Sequence, residues 1–398
     1  MNGLNQETVQ ARNRDMVLCL LQQTQISTRS KIAKQIGLKQ ATIANIIGDL
    51  IDIGLVKETG LISGEKGRRS VGISLSNEKY RIIGLRLTRK GISIGVFSLD
   101  CKETRKQIYD SIENYDPKTV IKRACALIEE IIKNAKDEIF LAVGVSVPGP
   151  YYSEDGEIAL ITSFPGWVSI NIRDMLREQI SIPVIIEHDA NAAILAESFL
   201  VERRKKYNTI VYISAGQGIG AGIINGGQIY RGAQGIAGEI GHVCVQMNGL
   251  QCECGAKGCL QMYASTQALT ENIRKRLGYE KPFSFNNAVN LIKEGNEIAK
   301  EEFQKCMDYL GVEMINIIYT YNPNLIIFGD EFSKIGTLIL DELNARLKIM
   351  RVERLLDGLC IELPELGFDS AYVGAAMVAT RYVFSHVNEL FNGKNSKC

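Results

Sequence analysis

No stretch of the 398-residue chain is apolar for long enough to cross a bilayer as a helix. The opening residues, MNGLNQETVQARNRD, lack the apolar core of a secretory signal peptide. A cytoplasmic protein with no membrane part is the expectation. The ten cysteines show no regular spacing, so without an export signal they do not make a disulfide framework, and a cluster among them reads better as a metal site. Histidine is scarce, with three in the chain. Net charge is nearly absent at +1, yet residues 1–76 hold ten Lys or Arg against six Asp or Glu, and the remainder 36 against 39. The amino-terminal segment is therefore the candidate nucleic-acid surface. An apolar fraction of 45% and a charged fraction of 23% are those of an ordinary soluble protein, here long enough for two or three domains.

Within that segment, RNRDMVLCLLQQ (residues 12–23) has helical spacing, with Met16, Val17, Leu20 and Leu21 on one face. Ser27 is a plausible cap for the next helix. Two short helices then flank Gly37, with Ala33 before it and Ile43 and Ile46 after it. A helix-turn-helix needs that order: a small residue where the helices cross, a glycine at the turn, and branched residues to fix the second helix. The second helix should start near Lys39 and offer Lys39, Gln40, Thr42 and Asn45, side chains that reach phosphates and base edges. The following hairpin carries Lys66, Arg68 and Arg69 in its loop, as suits the wing of a winged helix. Double-stranded operator DNA is the implied partner.

From Tyr80 the order is strand, strand, strand, helix (117–135), strand, and a similar run begins at NTIVYISAGQGIGAGIINGG. Mixed strands alternating with helices imply an α/β body of two lobes about a cleft. The first bend of that body lacks what a phosphate loop is made of. In IIGLRLTRKGISIGVFSLD, Arg86, Arg89 and Lys90 stand where small and acidic residues would let backbone touch phosphate and a carboxylate hold magnesium.

Further on, His242, Cys252, Cys254 and Cys259 offer one imidazole and three thiols in a short stretch, a set suited to a closed tetrahedral structural zinc site. The other six cysteines read as small core residues.

The segments VSVPGP, EHDANAAILAE, AGQGIGAGIINGG, RGAQGIAGEIGHVCVQMNGLQCECGAKGCLQMYAS, NPNLIIFG and AYVGAAMVA resemble, in order, the signature motifs of the ROK family of repressors, open reading frames and sugar kinases. The resemblance covers nearly the whole chain, because the repressor branch also carries an amino-terminal winged helix. It implies a two-lobed actin-like or ribonuclease H-like sugar kinase fold with a zinc loop. The implied division is 1–76 for the DNA head, 77–195 with 380–398 for the first lobe, and 196–379 for the second lobe with the zinc loop and a dimer interface.

By the same resemblance, His188, Asp189, Glu239, His242 and Gln261 would hold the hydroxyls of a sugar or sugar phosphate, Asp189 standing at the position of the kinase base. His242 would serve both metal and sugar. The chain departs from the family at several points. Gln261 replaces a Glu. In the D-x-G-G-T motif Arg86 replaces the Asp, Thr88 and Arg89 the glycines, and Lys90 the Thr. Gln217 and Asp330 alter two further nucleotide motifs. Phosphoryl transfer depends on metal-assisted charge neutralisation, so these changes imply a body without kinase activity. The expectation is a sugar-responsive repressor acting as a homodimer or homotetramer. An ATP-dependent sugar kinase and a regulator governed by a partner protein are the alternatives.

Overall fold

The computed structural model describes residues 6–63, 69–112, 115–152, 155–158, 166–167, 170–348 and 353–392. Three helices open the chain: α1 (Gln6–Thr24), α2 (Arg29–Ile36) and α3 (Gln40–Asp52). Val17, Leu18 and Leu21 of α1 are fully buried, while Met16 and Leu20 of the expected face are half-buried. Thr28, not Ser27, caps α2: its Oγ1 accepts from the Lys31 amide at 3.3 Å. Ser27 is held instead by two backbone hydrogen bonds to Ile73, of 2.9 and 2.7 Å, which commit its backbone to the neighbouring strand. Gly37 ends α2 at φ +77, a conformation that costs a side-chain-bearing residue energy. Ile43, Ile46, Ile47 and Leu50 bury the inner face of α3. The antiparallel hairpin β1 (Val56–Ser63) and β2 (Arg69–Leu75) completes the unit.

The first large sheet contains β3 (Tyr80–Leu87), β4 (Gly91–Phe97) and β5 (Glu103–Ser111), followed by α4 (Pro117–Lys133) and β6 (Ile139–Val147). Short strands β7 (Tyr151–Tyr152), β8 (Glu157–Ile158) and β9 (Ile170–Asn171) form a separate small sheet before α5 (Ile172–Arg177) and β10 (Val184–His188). The strand order is β10-β6-β3-β4-β5, with β10, β6 and β3 parallel and the rest antiparallel.

The second half repeats the pattern. It comprises α6 (Asp189–Leu200), β11 (Thr209–Ala215), β12 (Ile219–Asn225), β13 (Gln228–Ile229), α7 (Gln261–Ala264), α8 (Thr266–Leu277), α9 (Phe285–Glu294), α10 (Glu297–Tyr321), β14 (Leu325–Gly329), α11 (Leu338–Leu347) and β15 (Cys360–Glu362). Its sheet runs β13-β12-β11-β14-β15, again with three parallel strands. The described residues end in α12 (Ser370–Ser385) and α13 (Val387–Asn392).

Two helices fill the space between the sheets. Whereas α6 lies on β11 and β12, α12 lies on β3, β6 and β10, and the two pack on each other. The small residues of both helices are the cause: a Cβ on Gly374 would sit 2.1 Å from the Ala192 carbonyl, and one on Gly144 of β6 would sit 1.8 Å from that of Ala375. The chain therefore changes lobe at His188–Asp189 and at Asp369–Ser370. The expected boundaries of 195 and 380 fall inside these two helices, α6 and α12.

One apolar cluster joins the head to the first lobe. Val17, Leu18, Leu21 and Ile47 belong to the same core as Tyr80, Ile82, Phe97, Val383 and Phe384. Full burial of one such aliphatic side chain is worth about 1.5–3 kcal/mol. Polar contacts add direction: Gln22 Nε2 donates to the Leu99 carbonyl at 2.9 Å, and Arg381 Nη1 to Cys19 Sγ at 2.9 Å.

Candidate functional site

A cleft of about 380 Å³ opens between the lobes, at the carboxyl ends of the parallel strands, where open α/β sheets place their ligands. Its lining comes from the bend after β3, the Pro148–Gly149 turn after β6, the β10–α6 junction, the Gly216–Gly218 turn after β11, the end of β14, the segment from Glu239 to Gln261, and Phe368 and Asp369 ahead of α12.

All five residues expected to hold a sugar line this cleft. His188 and Asp189 meet at the strand-to-helix junction, with His188 Nε2 3.2 Å from Asp189 Oδ1 and 4.0 Å from Glu239 Oε1. Glu187 steadies the junction from behind, accepting from Asn191 Nδ2 and the His188 amide, each at 3.1 Å, and pairing with Arg231. Burial raises the pKa of Glu239; His188 and Arg89 oppose the shift and Asp189 adds to it. Gln261 is buried at the start of α7, its Nε2 3.5 Å from Cys252 Sγ. The two carboxylates can accept from vicinal hydroxyls, and Gln261 can donate as well as accept.

His242, Cys252, Cys254 and Cys259 converge so that their ligand atoms all lie within 4.8 Å of one another. Cys254 and Cys259 sulfurs are 3.7 Å apart, and Cys252 Sγ is 3.7 Å from His242 Nδ1. This set can hold a metal ion. With Nδ1 facing the thiols, His242 keeps its other ring nitrogen for the cleft it lines. Cys244 is a correction: it is exposed beside this cluster and is not a core residue.

The altered bend places Arg86 at the centre of a carboxylate cage. Its Nη1 donates to Asp369 Oδ1 at 2.6 Å and its Nη2 to Asp330 Oδ2 at 3.0 Å, with Asp189 Oδ2 4.0 Å away. Burial opposes the charge on Arg86, but Asp330, Asp369 and Asp189 outweigh it and hold the guanidinium pKa above its ordinary value. Ser214 Oγ also donates to Asp330 at 2.9 Å. Sequence reasoning marks Arg86 and Asp330 but not Asp369, whose available signal is its place just before SAYVGAAMVA. Tyr109 and Phe368 at the cleft are likewise missed.

On the head, Lys39, Gln40 and Asn45 are exposed and Thr42 is half-exposed, so the start of α3 presents a polar face outward. Arg69 is exposed at the start of β2, whereas Lys66 and Arg68 lie outside the described residues. No helix of the described residues is long and apolar enough to cross a membrane.

Comparison with known proteins follows the same outline. The xylose repressor of Caldicellulosiruptor bescii is 30% identical over 345 residues, covering 83% of this chain and 86% of that protein. The DNA-binding transcriptional dual regulator NagC of Escherichia coli K12 is 26% identical over 385 residues, 94% of each chain. Among solved structures, a ROK family transcriptional regulator, a homologue of the E. coli MLC protein, superposes with a TM-score of 0.81 at 23% identity, over 97% of this chain and 100% of the other. Residues 82–382, which span both sheets and the cleft between them, match the model of the ROK family, and the chain belongs to that family.

Proposed function

We propose that this protein is a cytoplasmic, sugar-responsive transcriptional regulator, a repressor with a kinase-like body that performs no phosphoryl transfer. Residues 1–76 act as a winged helix-turn-helix head, with α3 as the helix that enters the major groove and the β1–β2 hairpin as the wing. Gln40 and Asn45 read base edges; Lys39, Thr42, Lys66, Arg68 and Arg69 meet the backbone. The names of two relatives, a xylose repressor and a DNA-binding regulator, support this assignment.

The observation that carries the reading is the cleft itself. It keeps a hydroxyl-binding set in His188, Asp189, Glu239, His242 and Gln261, while a guanidinium sits among the carboxylates where a nucleotide's metal would need them. Arg86 takes up oxygens of Asp330 and Asp369 and offsets part of the negative charge that a magnesium ion would need.

The cluster of His242, Cys252, Cys254 and Cys259 suits zinc. Tetrahedral ligands at about 2.0–2.3 Å from a common ion lie about 3.3–3.8 Å apart, and the two sulfur contacts of 3.7 Å fit that spacing. The metal supplies a structural clasp. Through His242 it fixes one wall of the cleft, so ligand recognition depends on a folded loop.

In a homodimer, a sugar in the cleft favours one closure angle of the lobes and so shifts the spacing of two heads on their half-sites. The experiment is a DNA titration with and without D-xylose, D-glucose or N-acetyl-D-glucosamine, using DNA selected from a random pool. Wild type should shift by about 1–3 kcal/mol with one of them, and Asp189→Asn should keep its DNA affinity and lose the shift. Steady ATP turnover with these sugars at about 1–1000 per second would replace this reading with a kinase.

A further inference from the structure

Four thiols lie on the loop between His242 and Gln261. Cys252, Cys254 and Cys259 converge with His242, and Cys244 stays outside that set. Cys244 is exposed, whereas Cys259 is buried. The two stand opposite each other in an isolated antiparallel bridge. On either side of it the Leu260 amide donates to the Val243 carbonyl and the Val245 amide to the Gly258 carbonyl, each at 2.9 Å. Cys244 and Cys259 are therefore an opposed pair with no backbone hydrogen bond of their own.

Pairs of that kind have Cα atoms about 4.5 Å apart and both side chains on one face, and disulfides span Cα distances of about 4.4–6.8 Å. A bond between the two sulfurs thus needs side-chain rotation and no new path for the chain. Gly258 leaves the room for it: a Cβ there would lie 3.2 Å from Cys244 Sγ, so that sulfur already rests over the neighbour of Cys259.

An exposed cysteine by itself carries no function. What distinguishes Cys244 is the residue across from it, a member of the only His and Cys cluster of the described residues that could hold a metal. A closed tetrahedral site needs four ligands, and one covalent bond from Cys244 would leave three. In a reducing compartment disulfides serve as transient redox devices more than as braces, and oxidation selects thiols that are accessible and have a second thiol in reach.

We infer that Cys244 is an oxidation site, where a hydroperoxide drives formation of a Cys244–Cys259 disulfide that withdraws a ligand from the metal cluster. The proposal rests on the zinc-clasp reading and gives the clasp a way to open. The Cys244 sulfur attacks one peroxide oxygen, the O–O bond breaks, and water leaves behind a sulfenic acid. The Cys259 sulfur then attacks the Cys244 sulfur, the S–O bond breaks, and a second water leaves. The two sulfurs give up two electrons and the peroxide gains them. The two hydrogens it takes up come from the thiols, or from solvent where Cys259 is a thiolate. His242 and Gln261 sit two residues from the bridge, one on each strand, and both line the cleft. Opening the clasp therefore loosens one wall of the ligand pocket.

The test treats the purified full chain with hydrogen peroxide, follows zinc release with a chromogenic chelator, and maps disulfides after proteolysis. Wild type should lose its zinc as the Cys244–Cys259 link appears, and dithiothreitol with added zinc should reverse both. Cys244→Ser should keep its zinc through the same treatment; if that variant fails to fold, the wild-type map decides alone. Zinc retained by wild type, or lost equally from Cys244→Ser, overturns the proposal. A map that joins Cys252 or Cys254 to Cys259 and leaves Cys244 out overturns it as well. A folded Cys244→Ser protein that purifies without zinc makes Cys244 a ligand and also overturns it. In each of these failures the clasp reading stands, whereas wild type that carries no zinc before treatment overturns the clasp and the proposal together.

Discussion

Arg86 and Asp369 are 283 positions apart in sequence and 2.6 Å apart in space, and through this contact a strand of the first sheet holds the residue just before α12. The same guanidinium bonds Asp330 at the end of β14, so a single side chain ties both sheets and the inter-lobe helix at the floor of the cleft. A metal ion bound there would have to come and go with its nucleotide. The arginine is permanent, which turns a transient link into part of the fold.

Removing that charge should be costly. The Arg86 side chain is 7% exposed, and Arg86→Met leaves three carboxylates facing one another. Breaking a buried pair in this way typically costs about 3–5 kcal/mol. Equilibrium unfolding in denaturant measures it, and adding Asp330→Asn and Asp369→Asn to Arg86→Met should restore part of the loss. Unchanged stability in the single variant would mean that water already screens the cage.

Metal should be bound at one ion per chain. Cys254→Ser removes one of four converging ligands, so metal analysis of the purified variant should show loss of zinc. The effect should reach the cleft through His242, with sugar affinity weakened about 10- to 100-fold, as when the supports of a site are lost. Equal zinc in both proteins would remove the clasp from the mechanism.

For the head, a phosphate contact and a base contact should fail differently. Arg69→Ala should weaken binding to all DNA sequences alike and lower the salt slope by about one, whereas Gln40→Ala or Asn45→Ala should alter sequence preference at about 1–3 kcal/mol per lost base contact. A uniform loss in all three variants would place α3 outside the groove.

Glu239 gives a pH signature. Its pKa in the folded chain is raised above 4.5 by burial, so the folded state holds the proton more tightly than the unfolded state. Its contribution to stability is then present below the unfolded pKa and is lost as the pH rises through the folded one. Glu239→Gln, which keeps the neutral form at every pH, should be more stable than wild type at about pH 7 and not at about pH 4. Melting curves at the two pH values decide it; equal differences at both would show that ionised Glu239 is already satisfied.

Local chemistry made much of this legible. The glycine at 37, the start of α3 beside Lys39, and the thiol cluster are set by residues close in sequence, where spacing constrains geometry. The cap falls at Thr28 and not at the expected Ser27 because β2, 46 positions downstream, captures the Ser27 backbone. Asp369 escaped notice for a related reason: an aspartate before a helix looks like a cap, and here its carboxylate answers a charge from β3. Runs of Ala and Gly in α6 and α12 say that a helix packs closely but not against which sheet. What the sequence hides is the identity of distant partners.

The apolar cluster that joins Val17, Leu18 and Leu21 to Val383 and Phe384 bears on the operator as much as on the fold. A head on a flexible tether samples many separations and tolerates half-sites at many distances. A head that shares its core with the body offers one separation for each lobe angle. In a dimer, inserting a single base pair between half-sites rotates one relative to the other by about 35°, a mismatch that such a head can meet only by breaking apolar contacts. The length of DNA between half-sites would then be discriminated as sharply as the bases within them.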